Sequence, residues 1–222
     1  MFETRIPSGP IYRLGRYPDP WVPPDWSRAQ PDGTFGNRFD DPTGYYRVLY
    51  ASSQRLSCFL ETLARFRPDL TLLAELREIE GEDDFFPLTQ IPKAWCRARL
   101  LGAGISRGHY ADIYAAEWVG HLRSVLSAEC LKLGLADLDV AVLQQGQPRR
   151  LTQLASFEVY KAGLNGIYYR SRYGHDLENW AMFEPFDVQI AADAEPISED
   201  DPDLLAACAI LGVVIEQQEP KP

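Results

Sequence analysis

Residues 36 to 68 constrain the fold of this chain most, because they join a polar turn, a strand pattern and a helix pattern without interruption. The turn contains Arg38 and the neighbouring Asp40 and Asp41, and a β-type run over residues 45 to 50 follows it. Residues 51 to 54 follow, and the hydroxyls of their two serines predict a helix N-cap. The next apolar residues recur at helical intervals and predict one buried helical face: Leu56, Phe59, Leu60, Leu63 and Phe66.

Glu61 lies just off the apolar face of this predicted helix, 11 residues after Tyr50. Taken alone, it is expected to be a solvent-exposed carboxylate, because glutamate is rarely buried. Its place at the border of a buried face, one short strand after an arginine-bearing turn, also suits a functional carboxylate. The helix pattern leaves both interpretations open.

The composition is that of a single globular domain spanning residues 1–222. Apolar residues make up 45% and charged residues 24% of the chain, which is long enough to bury a substantial core. The net charge of −10 argues against a general nucleic-acid or anionic-membrane surface, and no apolar run reaches the length of a membrane span. The N-terminus lacks the apolar core of a secretory signal, so the sequence predicts a cytoplasmic protein.

The cysteines and histidines indicate neither disulfides nor a metal site. Cys58, Cys96, Cys130 and Cys208 are far apart, and we expect them to be reduced thiols. The three histidines show no paired-ligand spacing, so we expect no bound metal.

The remaining patterns predict an α+β fold of short strands and segregated helices. Residues 1–35 are rich in proline and aromatic residues and predict an extended arm with a short strand at 11–14. Residues 69–165 form an enlarged central segment, and residues 200–222 a C-terminal helix with an acidic tail. We predict strands over 95–100, 135–143, 166–172, 180–183 and 186–191, helices over 111–133, 149–162 and 204–211, a loop over 173–179, and either helix or strand over 69–80.

Five pieces of the sequence, taken in order, resemble the RES domain, a family named for its arginine, glutamate and serine. The pieces are Ile11-Tyr12-Arg13, Gly36-Asn37-Arg38-Phe39, Val48-Leu49-Tyr50, Glu61, and residues 166–171, which end at Ser171. The resemblance covers residues 10 to 190 and implies an ADP-ribosyltransferase-like fold, in which two small β-sheets form an NAD⁺ cleft with flanking helices. The chain differs from compact members in the 110 residues between Glu61 and Ser171, and in the arginines on either side of that serine.

The resemblance also implies a role for each of these residues. Glu61 and Arg38 are expected to be catalytic, and Arg13, Tyr50 and Ser171 to bind NAD⁺. Departure of nicotinamide leaves positive charge on the ribose, which a nearby carboxylate stabilises, and no general acid is needed. Arginines can neutralise the pyrophosphate, and a tyrosine ring can stack on the nicotinamide.

Arg170 and Arg172 alternate with Ser171 and predict one charged face of the strand over residues 166–172. Together with His175 they could bind a second anion such as phosphate, or they could simply face water.

The resemblance implies NAD⁺ as a substrate and no resident cofactor, and three functions are open. The first is an NAD⁺ phosphorylase that uses inorganic phosphate and acts as the toxin of a toxin–antitoxin pair, with a small antitoxin protein as its partner. The second is an ADP-ribosyltransferase that modifies a protein target, or an NAD⁺ glycohydrolase that uses water. The third is a non-catalytic domain that binds a nucleotide or a partner. The sequence leaves the acceptor and the formation of a homodimer open.

Overall fold

A single nine-stranded sheet contains most of the strands in this protein, for which a computed structural model describes residues 2–71 and 89–216. Its strands are β1 (Thr4–Arg5), β2 (Ile11–Arg16), β3 (Val48–Ser52), β5 (Arg99–Ile105), β6 (Tyr110–Asp112), β7 (Gly166–Ser171), β8 (Gly174–Phe183), β9 (Gln189–Ile190) and β10 (Glu195–Pro196). The order across the sheet is β1-β6-β7-β8-β3-β2-β5-β10, and β9 also pairs with β5. A separate parallel pair consists of β4 (Thr89–Ile91) and β11 (Val213–Ile215).

The large sheet has two parts that meet between β2 and β3. On one side β3 pairs with β8 from Val48↔Phe183 to Ser52↔Asn179, and on the other β2 pairs with β5 along its whole length. Between these parts, β2 and β3 pair only at Tyr12↔Ser52. The expectation of two separate small sheets is therefore corrected: one sheet is continuous, because this residue pair joins its two parts.

Helices cover the sheet, as expected for an α+β protein. They are α1 (Arg55–Leu63), α2 (Lys93–Arg97), α3 (Ala116–Val125), α4 (Ser127–Lys132), α5 (Val140–Gln145), α6 (Arg149–Lys161) and α7 (Pro202–Leu211). One hydrophobic core packs α1, α2 and α7 against β2 and β5, and another packs α3 to α6 against β6, β7 and β8. Side chains alternate along β7, so Ile167 and Tyr169 join the second of these cores while Tyr168 joins a third on the opposite face.

The predicted apolar face of α1 is confirmed, but its predicted cap is wrong. Phe59, Leu60 and Leu63 are buried, and α1 packs against α7. The N-cap is Gln54, whose side chain makes no capping hydrogen bond. The serine hydroxyls bond across the sheet instead, because Ser52 Oγ donates to Asn179 Oδ1 and Ser53 Oγ accepts from Trp180 Nε1. The strand after the polar turn begins at Val48, later than predicted.

Two of the predicted strands contain helices. Residues 93–97 form α2, and β5 begins only at Arg99. Trp95 and Cys96 are both buried although they are adjacent, which a helix permits and alternating strand faces do not. In the predicted strand over 135–143, the Asp139 side chain accepts from the Val142 amide and caps α5. Short apolar runs fit either structure, and the tertiary setting decides between them.

Two further predictions have the wrong boundaries. The long helix predicted over residues 111–133 is divided into β6, α3 and α4, because Tyr110–Asp112 pairs with β7 and Leu126 leaves the helical conformation. In the loop predicted over 173–179, residues 174–179 belong to β8, which turns back from β7 and pairs with both β7 and β3.

Other elements agree with the sequence patterns. The helix predicted over 149–162 is α6, the strand predicted at 11–14 is β2, and the helix predicted over 204–211 is α7. All four cysteines are buried and free. Most of the segment predicted over 69–80 and the acidic tail from residue 217 lie outside the described residues.

Gly15 in β2 packs directly against Pro20, so there is no room for a side chain at this position. An added Cβ would lie 2.2 Å from Pro20 Cα and 2.3 Å from Pro20 O. We expect Gly15→Ala to displace the arm and to lower the free energy of unfolding by about 1–3 kcal/mol, measured by urea denaturation. Gly9→Ala is the matched control, since no atom lies within 4 Å of its added Cβ. Equal stabilities for the two variants would contradict this packing.

Candidate active site

A cavity of about 70 Å³ lies between α1 and the region where β2 and β3 separate. Three of the residues proposed from the sequence, Glu61, Arg13 and Tyr50, line it together. Its other lining residues are Leu14, Ala51, Ser52, Cys58, Thr62, Tyr169 and Asn179. The cavity thus combines one carboxylate, one guanidinium and two tyrosines.

One oxygen of the Glu61 carboxylate is bound by two donors. Its Oε1 accepts a hydrogen bond of 2.7 Å from Ser171 Oγ and one of 3.2 Å from Asn179 Nδ2. No residue in the described part of the chain donates to Oε2. The side chain of Glu61 therefore has a defined orientation and one oxygen that is available to a ligand.

Ser171 lies at the end of β7 and is buried, with 2% of its surface exposed. Its Oγ accepts a hydrogen bond of 3.1 Å from the Tyr173 amide. The hydroxyl proton is consequently directed to Glu61, and the structure brings together two residues that are 110 positions apart.

Arg13 is a half-buried cation whose guanidinium bonds to main-chain carbonyls. Its Nε donates to Pro20 O at 2.6 Å, and its Nη1 donates to Tyr50 O at 2.7 Å. Burial lowers the pKa of Arg13 to about 10, so the group remains protonated at neutral pH. No carboxylate of the described residues forms an ion pair with it. Its positive charge is thus available to an anion in the cavity.

The hydroxyl of Tyr50 fixes the end of the polar turn. It accepts a hydrogen bond of 2.9 Å from the Phe39 amide and lies 3.5 Å from Asp40 Oδ1. Burial raises the pKa of Tyr50 well above its ordinary value, so the phenol stays neutral. Asp40 itself accepts from the Phe35 and Asn37 amides, and these bonds determine the path of the chain into Arg38.

Arg38 does not line the cavity that contains Glu61. Its Nη2 donates to Tyr114 Oη at 2.9 Å and to Leu143 O, and only 9% of the residue is exposed. Its Cζ lies 5.1 Å from the centre of the Tyr169 ring, which lines the cavity. The ring of Tyr169 therefore lies between the guanidinium and the cavity. The buried Nε of Arg38 has no hydrogen-bond partner within residues 2–71 and 89–216.

A second cavity, of about 440 Å³, lies beyond Tyr114. Its lining residues are Glu3, Arg5, Asp112, Tyr114, Ala115, Val140, Gln144, Arg170 and His175. The Arg5 guanidinium is paired with Glu3 and Asp112, whereas Arg170 Nη1 donates to the His175 carbonyl at 3.2 Å. Arg170 is the cation of this cavity that lacks a carboxylate partner among the described residues.

The prediction that Arg170 and Arg172 share a strand face is wrong. The pairing register between β7 and β8 shifts between Arg170 and Ser171, and β7 ends at Ser171. Arg172 lies beyond that shift, and its Nη2 is 3.5 Å from Gln145 O. Arg172 therefore lies outside β7, and of the two arginines only Arg170 lines the second cavity.

The sequence did not indicate Asn179, Tyr169 or Tyr114 as site residues. Asn179 falls in a segment predicted as a loop, although it lies in β8 and bonds to Glu61. Tyr169 and Tyr114 resemble ordinary packing residues in sequence. Only the strand register and the packing of Arg38 reveal their positions at the two cavities.

Comparisons with known proteins identify a family for most of the chain. A protein-family model described as the RES domain matches residues 10–203 of 222, which confirms the resemblance inferred from the five sequence pieces. No curated protein and no solved structure matches the chain. Within the residues that the structure describes, no helix has the length and apolar character needed to cross a membrane.

The hydroxyl of Tyr50 can be tested as a fixed point of the site. Tyr50→Phe leaves the buried Phe39 amide without its acceptor, so we expect a loss of about 1–3 kcal/mol in the free energy of unfolding, measured by urea denaturation. Tyr45→Phe is the control within the same segment, because Tyr45 is 74% exposed and should tolerate the change. If the two variants are equally stable, the hydroxyl does not fix the turn.

Proposed function

This chain belongs to the RES domain family, and from that premise we propose that it consumes NAD⁺ by breaking the bond between nicotinamide and ribose. The observation that carries the proposal is the Glu61 carboxylate, with Oε1 bound by Ser171 and Asn179 and Oε2 without a donor among the described residues. We further propose an ADP-ribosyltransferase-like fold, in which the two parts of the sheet joined at Tyr12 and Ser52 take the places of its two sheets.

The proposed chemistry needs a negative charge at one position. When the C–N bond breaks, its electron pair leaves with nicotinamide, which departs as a neutral base and requires no proton. Positive charge then develops on the ribose, and the Glu61 carboxylate stabilises it at short range. An oxygen of phosphate forms the new bond to the same carbon, and the products are nicotinamide and ADP-ribose 1″-phosphate.

The size and charges of the first cavity suit the reacting end of the dinucleotide. A volume of about 70 Å³ is far below the roughly 300–1,000 Å³ of typical ligand pockets, so the remainder of NAD⁺ would extend beyond it. We assign the nicotinamide ribose to Glu61 and Ser171, the nicotinamide ring to Tyr50, and one phosphate to Arg13. The last assignment is supported by a half-buried guanidinium that bonds to main-chain carbonyls and lacks a carboxylate partner among the described residues.

We propose that the remaining anionic groups of the substrates bind on the side of the protein where the side chains of Arg38 and Tyr114 meet. The Tyr114 hydroxyl accepts from Arg38 and can donate its own proton to an oxygen of a ligand. Beside it, the second cavity offers His175, Gln144 and Arg170, which has no carboxylate partner among the described residues. This grouping supports inorganic phosphate as the acceptor and replaces the earlier grouping of Arg170 with Arg172.

We propose from family membership that the protein is the toxin of a toxin–antitoxin pair, because loss of NAD⁺ would stop growth. A small antitoxin that covers the cavity at Glu61 would then keep the enzyme inactive. Transfer to a protein side chain and transfer to water use the same bond-breaking step, so they differ from the phosphorylase only in the acceptor.

Glu61→Gln tests the catalytic carboxylate. We expect the rate of nicotinamide release to fall by about 10²–10³, because the variant keeps the shape of the side chain and loses its charge. The assay follows nicotinamide by chromatography after mixing the full chain with NAD⁺. Glu117→Gln, on the exposed first turn of α3, should retain the wild-type rate. A wild-type rate for Glu61→Gln would refute the assignment, and no release by the wild-type protein would favour a non-catalytic domain.

The acceptor is tested by adding phosphate. If phosphate is the acceptor, NAD⁺ loss should accelerate with its concentration, and mass spectrometry should show ADP-ribose carrying one additional phosphate. Arg170→Ala should raise the phosphate concentration needed for half-maximal rate by about tenfold or more, since a charged hydrogen bond is lost. Arg150→Ala, at an exposed position on α6, is the control. Free ADP-ribose, formed at a rate that does not depend on the phosphate concentration, would indicate a hydrolase. Protein that becomes labelled when a lysate receives labelled NAD⁺ would indicate a transferase.

A further inference from the structure

We propose that Asn179 is a positioning residue that orients the Glu61 carboxylate for the reaction. This inference rests on the proposed function and extends it to a side chain that neither the sequence pieces nor the family match identifies. Asn179 is 99% buried, since only 1% of its surface is exposed, and it lies in the wall of the first cavity.

The position of Asn179 is determined by two neighbouring strands. In β8 it is the register partner of Ser52 on β3 and also of Tyr169 on β7. Its main chain is therefore held from both sides, and its side chain emerges beneath α1, where Glu61 lies. Because two strands fix its position, Asn179 can restrict the orientation of the Glu61 side chain instead of adjusting to it.

The orientation of the Asn179 amide follows from its partners. Its Oδ1 accepts hydrogen bonds from Ser52 Oγ at 2.5 Å and from Ser57 Oγ at 2.8 Å. Its Nδ2 is then directed to Glu61 Oε1 at 3.2 Å. The opposite orientation would turn the amide oxygen toward a carboxylate, where two acceptors would repel each other. The carboxylate, which only accepts, thus determines which end of the amide faces it, and the two serine hydroxyls donate to the other end.

Asn179 and Ser171 donate to the same oxygen of Glu61. Ser171 is itself held by the Tyr173 amide, so both donors are fixed before a ligand arrives. Two donors on Oε1 fix the rotation of the carboxylate about its terminal bond and leave Oε2 for the ribose. In the alternative, Asn179 only satisfies two buried serines, and its loss would alter stability without a specific effect on turnover.

The first test separates turnover from binding. In Asn179→Ala we expect kcat for nicotinamide release to fall by about 10- to 100-fold, with KM for NAD⁺ changed by less than about threefold. Asn165→Ala is the matched control, since it removes an asparagine hydrogen bond to the His109 amide and lies outside both cavities. Equal kcat in the two variants, at similar stability, would overturn the proposal.

A second variant tests the donated proton. In Asn179→Asp the introduced carboxyl faces Glu61 at hydrogen-bond distance, and two carboxyls so close share one proton in mildly acidic solution. While the proton is present, the new group donates to Glu61 as the amide does, and at higher pH it no longer can. The ratio of variant to wild-type kcat should therefore fall as the pH rises from about 5 to 8. A ratio that is independent of pH would count against a role for the donor.

The other titratable groups that line the cavity do not change charge in this pH range. The pKa of Arg13 is lowered only to about 10, and burial raises the pKa of Cys58 to about 12. Burial also raises the pKa of both Tyr50 and Tyr169. A pH-dependent ratio can accordingly be assigned to the introduced carboxyl and Glu61.

A structural measurement keeps this proposal distinct from the proposed function. If the wild-type protein releases no nicotinamide, the proposed function fails, whereas the orientation of Glu61 can still be observed. A crystal structure of Asn179→Ala should show the Glu61 carboxylate turned away from Ser171 or in more than one rotamer. A single unchanged conformation, with the bond to Ser171 intact, would show that Asn179 does not position Glu61.

Discussion

The separation of β2 from β3 is the feature on which the site depends. The two strands pair only at Tyr12 and Ser52, so the next main-chain groups that face the gap need other partners. Arg13 supplies one, because its Nη1 donates to Tyr50 O while its Nε donates to Pro20 O of the N-terminal arm. A side chain thus replaces an inter-strand bond, and the same gap leaves room for the cavity beside Glu61.

This arrangement places opposite charges in one small space without pairing them. Arg13 is half-buried and bonds to carbonyls, while Glu61 is bound through Oε1 by neutral donors. A buried guanidinium that lacks a carboxylate is costly unless carbonyls and a ligand compensate it. The net charge of −10 describes only the mean field of the protein, and it does not preclude a locally positive wall at Arg13.

Local patterns predicted the elements that carry the site, but not the contacts within it. The apolar spacing of α1 placed Glu61 at the border of a buried face, and the alternation over residues 166–172 placed Ser171 opposite Arg170. Asn179 could not be predicted, because its role depends on the register of β8 with both β3 and β7. The end of β7 before Arg172 likewise depends on a bulge, which a single sequence does not reveal.

The arginines on either side of Ser171 can now be understood from the geometry of β7. Alternation directs Tyr169 and Ser171 to the side of Glu61, while Arg170 lines the second cavity and Arg172 reaches Gln145 beyond the bulge. The strand is therefore a wall common to both cavities, with Arg38 packed against Tyr169 and bonded to Tyr114 between them. Ser171, buried against the Glu61 carboxylate, and Arg170, which lines the second cavity, can be neighbours in sequence because their side chains leave the strand in different directions.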